Sequence, residues 1–199
     1  LNTNKQMIKK NHNSYKIINN NNPYSGPSFL LSNRLLRFFW NIFKNSVFRF
    51  SPRTFHKFRV AILKLFGAKI GKCCRISNTT EIWAPWNLVL NDYVLIAEEV
   101  KVYNMATIRV GSYSVISQGA FLCTGSHNYN YKNFPLYAEP ITLKKNIWIC
   151  AEAFIHPGVK IEDGIVIGAR SVVTKTLKKK WSVYSGNPVK CLTIRKSKK

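Results

Sequence analysis

The four histidines are the side chains best suited to proton transfer near neutral pH, because imidazole changes its protonation state there. They are His12, His56, His127 and His156. A neutral imidazole can take the proton of a weakly acidic hydroxyl while that hydroxyl attacks an acyl group. His12 lies in an Asn- and Lys-rich stretch, His56 begins a predicted helix, and His156 precedes a Pro-Gly turn. His127 stands where a regular repeat, described below, breaks into a long loop, which makes it the candidate general base; the alternative is an exposed loop histidine.

Metal and redox chemistry find little support in the residue types. The five cysteines form no C-x-x-C pair, and their number is odd. The eight acidic residues show no spacing typical of a metal site. Their spacing also singles out no carboxylate that would orient His127, so a backbone carbonyl is an equal candidate for that role. We expect no metal. No charged start followed by an apolar run and a cleavage site opens the chain, which predicts a cytoplasmic location.

The charge is strongly basic, with 31 Lys and Arg against 8 Asp and Glu and a formal net charge of +23. Such a charge attracts polyanions, among them nucleic acid, anionic lipid and phosphate-bearing cofactors. No zinc-finger spacing or RNA-binding aromatic motif accompanies it, so nucleic acid is not an expected partner. A general bias of composition toward Lys and Asn is the alternative explanation of the excess.

The segment before residue 70 divides into an arm and two helices. Residues 1–27 are polar and predict a mobile arm. Residues 28–50 place basic residues at helical intervals opposite aromatic ones, and Arg34 and Arg37 disfavour a membrane-spanning helix. An interfacial helix on an anionic membrane is one interpretation, and a helix that covers the end of the main domain is the other. A second helix is predicted to end at Gly67, so that 28–69 is a helical segment.

From Ile70 onward, aliphatic residues recur every six positions, which is typical of a β-solenoid whose short strands each direct one aliphatic residue inward. The positions are Ile70, Ile76, Ile82, Leu90, Ile96, Val102, Val110, Ile116, Leu122, Leu143, Ile149, Ile155, Ile161, Ile167 and Val173. Three such hexads make one triangular coil. The sequence therefore predicts an all-β solenoid of about five coils over residues 70–177, followed by a basic C-terminal segment over 178–199.

One interruption breaks the repeat. The hexad that is due at position 128 appears at Leu143, 15 residues later. Long loops on rigid scaffolds tend to carry function. His127 stands at the start of this predicted loop, which we place at 125–142.

Several strings in the repeat region resemble the hexapeptide-repeat acyltransferases, whose fold is a left-handed parallel β-helix. They are most similar to exopolysaccharide acetyltransferases of the colanic-acid type. The strings occupy 66–71, 85–88, 116–118, 122–127, 148–149, 157–159, 168–173 and 186–188. The left-handedness is implied by this resemblance alone.

The resemblance implies an O-acetyltransferase that moves an acetyl group from acetyl-CoA to a sugar hydroxyl of a polysaccharide or its precursor. It implies a homotrimer with the cofactor groove between subunits. His127 matches the family's catalytic histidine. The other residues that it implies are Trp148 beside the pantetheine arm, the Ala151 N–H at the thioester oxygen, a backbone contact at Ala169, Lys175 and Lys190 near the phosphates, and Asn104 as an acceptor contact.

Some features leave alternatives open. Cys150 stands where the family commonly has glycine beside the cofactor. Trp148 could instead pack between coils, and the lysines could be solvated. A carbonic anhydrase on the same solenoid would need three histidines around zinc, and the repeat region has only His127 and His156. Two further functions are a non-enzymatic solenoid scaffold at a membrane surface and an acetyltransferase with a small-molecule acceptor.

Overall fold

The computed structural model describes residues 26–196 and, before them, Ile17 alone. The predicted mobile arm at 1–27 therefore lies outside the described residues, except for Ile17, Gly26 and Pro27. Ile17 forms an antiparallel bridge with Phe29.

The repeat region is a three-sided parallel β-solenoid, and each side is one sheet. The first face contains β1 (Lys69–Ile70), β4 (Leu88–Leu90), β7 (Ile108–Val110), β12 (Ile141–Leu143) and β15 (Lys160–Ile161). The second face contains β2 (Arg75–Ile76), β5 (Leu95–Ile96), β8 (Val115–Ile116), β13 (Trp148–Ile149), β16 (Val166–Ile167) and β18 (Ser182–Gly186), with β19 (Val189–Ile194) added antiparallel. The third face contains β3 (Glu81–Ile82), β6 (Lys101–Tyr103), β9 (Phe121–Cys123), β14 (Phe154–Ile155) and β17 (Val172–Val173).

The predicted inward positions form the core. Every hexad residue named above is buried, and equivalent residues of successive coils pair in register, as Ile70 does with Leu90. In the two-residue strands the first side chain points outward and the second inward, because successive side chains of a strand alternate between its faces. The predicted all-β solenoid is confirmed.

The solenoid is longer than the predicted five coils. Leu177 bridges Ile161 in parallel, and β18 extends the second face beside β16. A partial sixth coil thus begins at Leu177 and extends into the basic C-terminal segment predicted over 178–199. The sequence did not predict this continuation because of the run Lys178–Lys180. These lysines are exposed in the turn before β18, so they do not interrupt the buried core.

Two helices cover the open end of the first coil. They are α1 (Leu31–Phe43), which continues as a π-helical turn over Lys44–Phe48, and α2 (His56–Leu65). Trp40 and Phe48 are fully buried, and the Trp40 Nε1–H donates a 2.7 Å hydrogen bond to the Ile82 carbonyl. Within the described range, no helix is both long and apolar enough to cross a membrane.

Candidate active site

The turns between faces stack into the edges of the prism, and two edges carry the candidate residues. We call the turns from the second to the third face the alanine edge, because Ala151 and Ala169 lie there in successive coils. We call the turns from the third to the first face the histidine edge, because the segment between β9 and β12 contains His127. The width of the third face separates the two edges within one chain.

A hairpin projects from the histidine edge. It consists of β10 (Gly125–His127) and β11 (Leu136–Ala138), paired antiparallel with His127 opposite Leu136. The buried Thr124 anchors its base, because Thr124 Oγ1 donates to the Tyr103 carbonyl and accepts from the Ala106 N–H. The predicted loop is therefore an ordered hairpin.

Gly125 lets this hairpin seat closely on the preceding coil. A Cβ at this position would lie 2.6 Å from the Met105 sulfur and 3.3 Å from the Tyr103 ring. A larger residue here would therefore require the flexible Met105 side chain to move.

The hairpin orients the imidazole of His127. Its Nδ1 lies 2.6 Å from the carbonyl oxygen of Phe134. A carbonyl oxygen only accepts hydrogen bonds, so Nδ1 carries the proton, and in the neutral ring Nε2 then has the lone pair. The ring is exposed and borders a cavity of about 440 Å³ whose lining includes Tyr137 and Glu139. This tautomer is the one that a general base requires.

The alanine edge has an open surface with two unengaged backbone donors. Within the described part of the chain, neither the Ala151 nor the Ala169 N–H donates a hydrogen bond to another residue. Trp148 lies beside them on the second face, 48% exposed, with its Nε1–H donated to Ser117 Oγ at 2.9 Å. Small side chains, free N–H groups and a fixed aromatic ring are suited to an extended, partly apolar ligand.

The structure brings some of the predicted residues together and separates others. Lys190 lies on β19 opposite Ser185, next to the alanine edge. Lys175 follows β17 on the histidine edge. The predicted cofactor residues Trp148, Ala151, Ala169 and Lys190 therefore line one side of the prism, and His127 and Lys175 lie across the third face from them.

The sequence is similar to those of several acetyltransferases. The putative colanic acid biosynthesis acetyltransferase WcaF of Escherichia coli is 41% identical over 149 residues, covering 75% of this chain and 81% of that protein. Galactoside O-acetyltransferase of the same organism is 38% identical over 74 residues, 36% of each chain. The chain belongs to the hexapeptide-repeat acyltransferases. It is an acetyltransferase. No family model matches it.

Solved structures support the fold of this acetyltransferase. A maltose O-acetyltransferase of Clostridium difficile superposes with a TM-score of 0.77 at 21% identity, covering 84% of this chain and 90% of that one. A hexapeptide-repeat acetyltransferase of Vibrio cholerae, solved with acetyl coenzyme A, gives 0.76 at 20% identity, covering 84% and 91%. The solenoid is the left-handed β-helix of this family.

Asn104 does not reach the acceptor side of the acetyltransferase. Its side chain is fully buried, Oδ1 accepts from the Ala84 N–H, and Nδ2 donates to the Ala84 carbonyl. Both ends of the amide are engaged, so Asn104 joins two coils and the expected acceptor contact is wrong for this side chain. Sequence spacing could not separate a corner asparagine that faces outward from one that faces inward.

Cys150 lies at the alanine edge beside Ala151. Its side chain is partly buried, and burial raises the pKa of the thiol. The group is therefore an uncharged thiol near neutral pH. It adds volume beside the open surface without adding charge.

The alanine edge also carries an ion pair that was not predicted from the sequence. Glu152 and Arg170 occupy equivalent positions of successive coils, and Arg170 Nε donates to Glu152 Oε2 at 2.6 Å. The guanidinium holds the pKa of the Glu152 carboxyl below its usual range. Their separation of one 18-residue coil is the signal that could have indicated the pair.

His156, the second histidine of the repeat region, packs against an aromatic side chain. The His156 ring makes an edge contact with Phe154 at a centroid distance of 5.0 Å. The described residues contain no group of three or more His, Cys, Asp or Glu arranged to hold a metal ion.

Proposed function

We propose that this acetyltransferase moves an acetyl group from acetyl-CoA to a hydroxyl of a sugar in a polysaccharide or in its lipid-linked precursor, with His127 as the general base. The observation that carries the proposal is the hydrogen bond from His127 Nδ1–H to the Phe134 carbonyl, which leaves Nε2 free to accept a proton. The sugar acceptor is favoured by the activities named for two relatives, colanic acid biosynthesis acetyltransferase and galactoside O-acetyltransferase.

The proton transfer follows from the tautomer. Nε2 takes the proton of the sugar hydroxyl as its oxygen attacks the acetyl carbonyl carbon, and the imidazolium then returns a proton to the departing CoA sulfur. The Nδ1–H bond to Phe134 persists throughout, because the carbonyl can accept from both the neutral and the charged ring. No carboxylate is required to hold the ring.

The alanine edge fits the acetyl donor. The Ala151 N–H, which has no acceptor among the described residues, would stabilise the negative charge that develops on the thioester oxygen. Trp148 would flank the pantetheine arm, the Ala169 backbone would add a contact, and Lys190 would lie near the phosphates. Lys175 lies on the histidine edge, so it would reach the phosphates from the neighbouring copy.

A homotrimer would complete the site. Within one chain, His127 and Ala151 lie at different edges of the prism, and the third face separates them. A neighbouring copy in a cyclic assembly can set its alanine edge against the histidine edge of this chain. The proposed groove for acetyl-CoA therefore lies between subunits, and each groove takes residues from two chains.

The acceptor class is tested by measuring CoA release from acetyl-CoA with purified protein. The panel contains nucleotide-linked sugars, lipid-linked sugars and chloramphenicol, since chloramphenicol acetyltransferase of Klebsiella aerogenes is 32% identical over 107 residues. We expect release that depends on a sugar. Release with chloramphenicol alone would favour a small-molecule acceptor, and none with any compound would favour a scaffold.

Replacing Trp148 tests the donor groove. We expect Trp148→Ala to raise KM for acetyl-CoA about tenfold and leave kcat within about threefold, because a lost aromatic contact removes roughly 1.4 kcal/mol of binding. Steady-state rates at saturating acceptor measure both constants. Tyr113→Ala, an exposed aromatic on another edge, is the matched control. An unchanged KM would mean that Trp148 only packs between coils.

A further inference from the structure

Helix α1 turns an apolar surface away from the protein. Leu31, Leu35, Phe38, Phe39 and Ile42 recur at helical intervals and are between 49% and 64% exposed. We call these five residues the outer stripe. Leucine and phenylalanine side chains normally lose most of their exposure in a folded chain, so a contiguous stripe of five marks an interaction surface.

The opposite side of α1 carries the polar residues. Asn33 and Arg37, together with Lys44 just after the helix, are half-buried. The Arg37 guanidinium lies 4.4 Å from the ring centre of Trp83. Trp40 is the large apolar residue on this side. A surface helix usually directs its apolar side to the core and its charges to water. In α1 the arrangement is largely reversed.

The surroundings of the outer stripe are basic. The first acidic residue of the whole chain is Glu81. Arg34 on α1 and Arg49 shortly after it are exposed, and no carboxylate of a described residue lies within ion-pair distance of them. An apolar stripe beside unneutralised cations is complementary to a surface of acyl chains and anionic headgroups.

We propose that the outer stripe docks this protein on an anionic lipid surface, with α1 lying in the plane of the interface. The stripe enters the boundary between headgroups and acyl chains, and the basic residues contact lipid phosphates. Within the described residues no helix is long and apolar enough to cross a membrane, so α1 would lie along the interface. A second copy of the chain is a poorer occupant, because its own stripe would bring a second set of unneutralised cations against the first.

The position of α1 gives the docking a direction. Trp40 and Phe48 hold the helix over the first coil, so the stripe lies at the N-terminal end of the prism. In the cyclic trimer of the proposed function, equivalent ends face the same side. Three stripes would then meet one membrane together, and their avidity would exceed the affinity of one. This last step rests on the proposed function, but the docking of a single stripe does not.

Sedimentation with vesicles tests the docking. The full chain is mixed with vesicles of phosphatidylcholine alone or with one-third phosphatidylglycerol. We expect binding to the anionic vesicles that weakens as salt rises. Phe38→Ser/Phe39→Ser should reduce the vesicle affinity about a hundredfold, since each ring contributes roughly a factor of ten when buried. Arg34→Glu should reduce binding to the anionic vesicles and leave the weak binding to neutral ones unchanged.

The control is Leu192→Ser/Ile194→Ser, which removes two exposed apolar residues from β19 and should bind as the parent does. Equal binding of the stripe variant and the parent would overturn the proposal, as would equal binding to both vesicle types. Loss of oligomer mass by the stripe variant in the absence of lipid would also overturn it, since a second copy would then cover the stripe. His127→Ala should bind vesicles normally, so a failure of acetyl transfer is distinguishable from a failure of docking.

Discussion

His127→Ala should lower kcat of acetyl transfer by at least about a hundredfold and leave KM for acetyl-CoA nearly unchanged. A positioned general base typically contributes 10²–10⁴-fold to the rate. In the tautomer set by the Phe134 carbonyl, Nε2 of His127 is the group that would take the hydroxyl proton. Trp148 and Ala151, which are proposed to bind acetyl-CoA in the groove, would come from the neighbouring copy. Initial rates of CoA release at saturating acceptor, over a range of acetyl-CoA concentrations, measure both constants.

A second substitution separates the base from the hydrogen bond. In His127→Asn the side-chain amide can still donate to the Phe134 carbonyl, but it has no group that accepts a proton near neutral pH. We expect it to be as inactive as His127→Ala. The control is His156→Ala on the same edge, which should retain most of the activity. Rates in the two His127 variants equal to that of the parent would rule out the assignment of the base.

The inward residues of the solenoid could be predicted because the repeat is local. A side chain every six residues returns to the same inward direction, and each coil then stacks on the one before. The interruption after Leu122 was visible for the same reason. Its folding into an ordered hairpin was not, since it depends on Thr124 reaching Tyr103 in the previous coil and on Gly125 seating against Met105.

The orientation of polar corner residues could not be predicted. Asn104 and His127 both lie at turns of the histidine edge, and both types are polar. Asn104 is turned inward because Ala84 in the previous coil presents a backbone N–H and a carbonyl to its amide. His127 is turned outward because its hairpin leaves the solenoid. Such differences in side-chain direction depend on which backbone groups a neighbouring coil presents. Every residue type carries the same backbone groups, so the residue types alone do not reveal these partners.

The packing of the helical segment could also not be predicted from the sequence. The spacing in 28–50 predicted an amphipathic helix, and α1 is one. The spacing did not show which side of the helix packs against the solenoid. Polar residues are normally expected to face water. Arg37 packs inward because Trp83 and Phe29 present ring faces to its guanidinium. The apolar side remains outward as a consequence.

Arg59 is the buried residue that the sequence interpretation did not anticipate. It lies on α2 with no exposed surface, and burial lowers the pKa of its guanidinium. Its five N–H groups make five hydrogen bonds within the described structure, at 2.7–2.9 Å. The acceptors are the carbonyls of Ile76, Pro52 and Arg53, the hydroxyl of Ser51 and Nδ1 of His56.

This cluster ties three parts of the chain together. Ile76 belongs to β2 in the first coil, Ser51 to Arg53 form the link between the helices, and His56 begins α2. A guanidinium can satisfy so many acceptors because its five donors lie in one plane, which a lysine with three donors cannot match. Arg59 therefore holds the helical cover on the open end of the solenoid.

Arg59→Met should lower the free energy of unfolding by about 3–5 kcal/mol, because it leaves several buried acceptors without donors. Arg59→Lys should cost less than Arg59→Met and more than the control Lys57→Met, an exposed neighbour on α2. Urea unfolding followed by circular dichroism at the helix band measures the differences. Because the coils contact only their neighbours, loss of α2 should expose the first coil before the others unfold. A stability of Arg59→Met equal to that of Lys57→Met would show that the helices stay in place without this cluster.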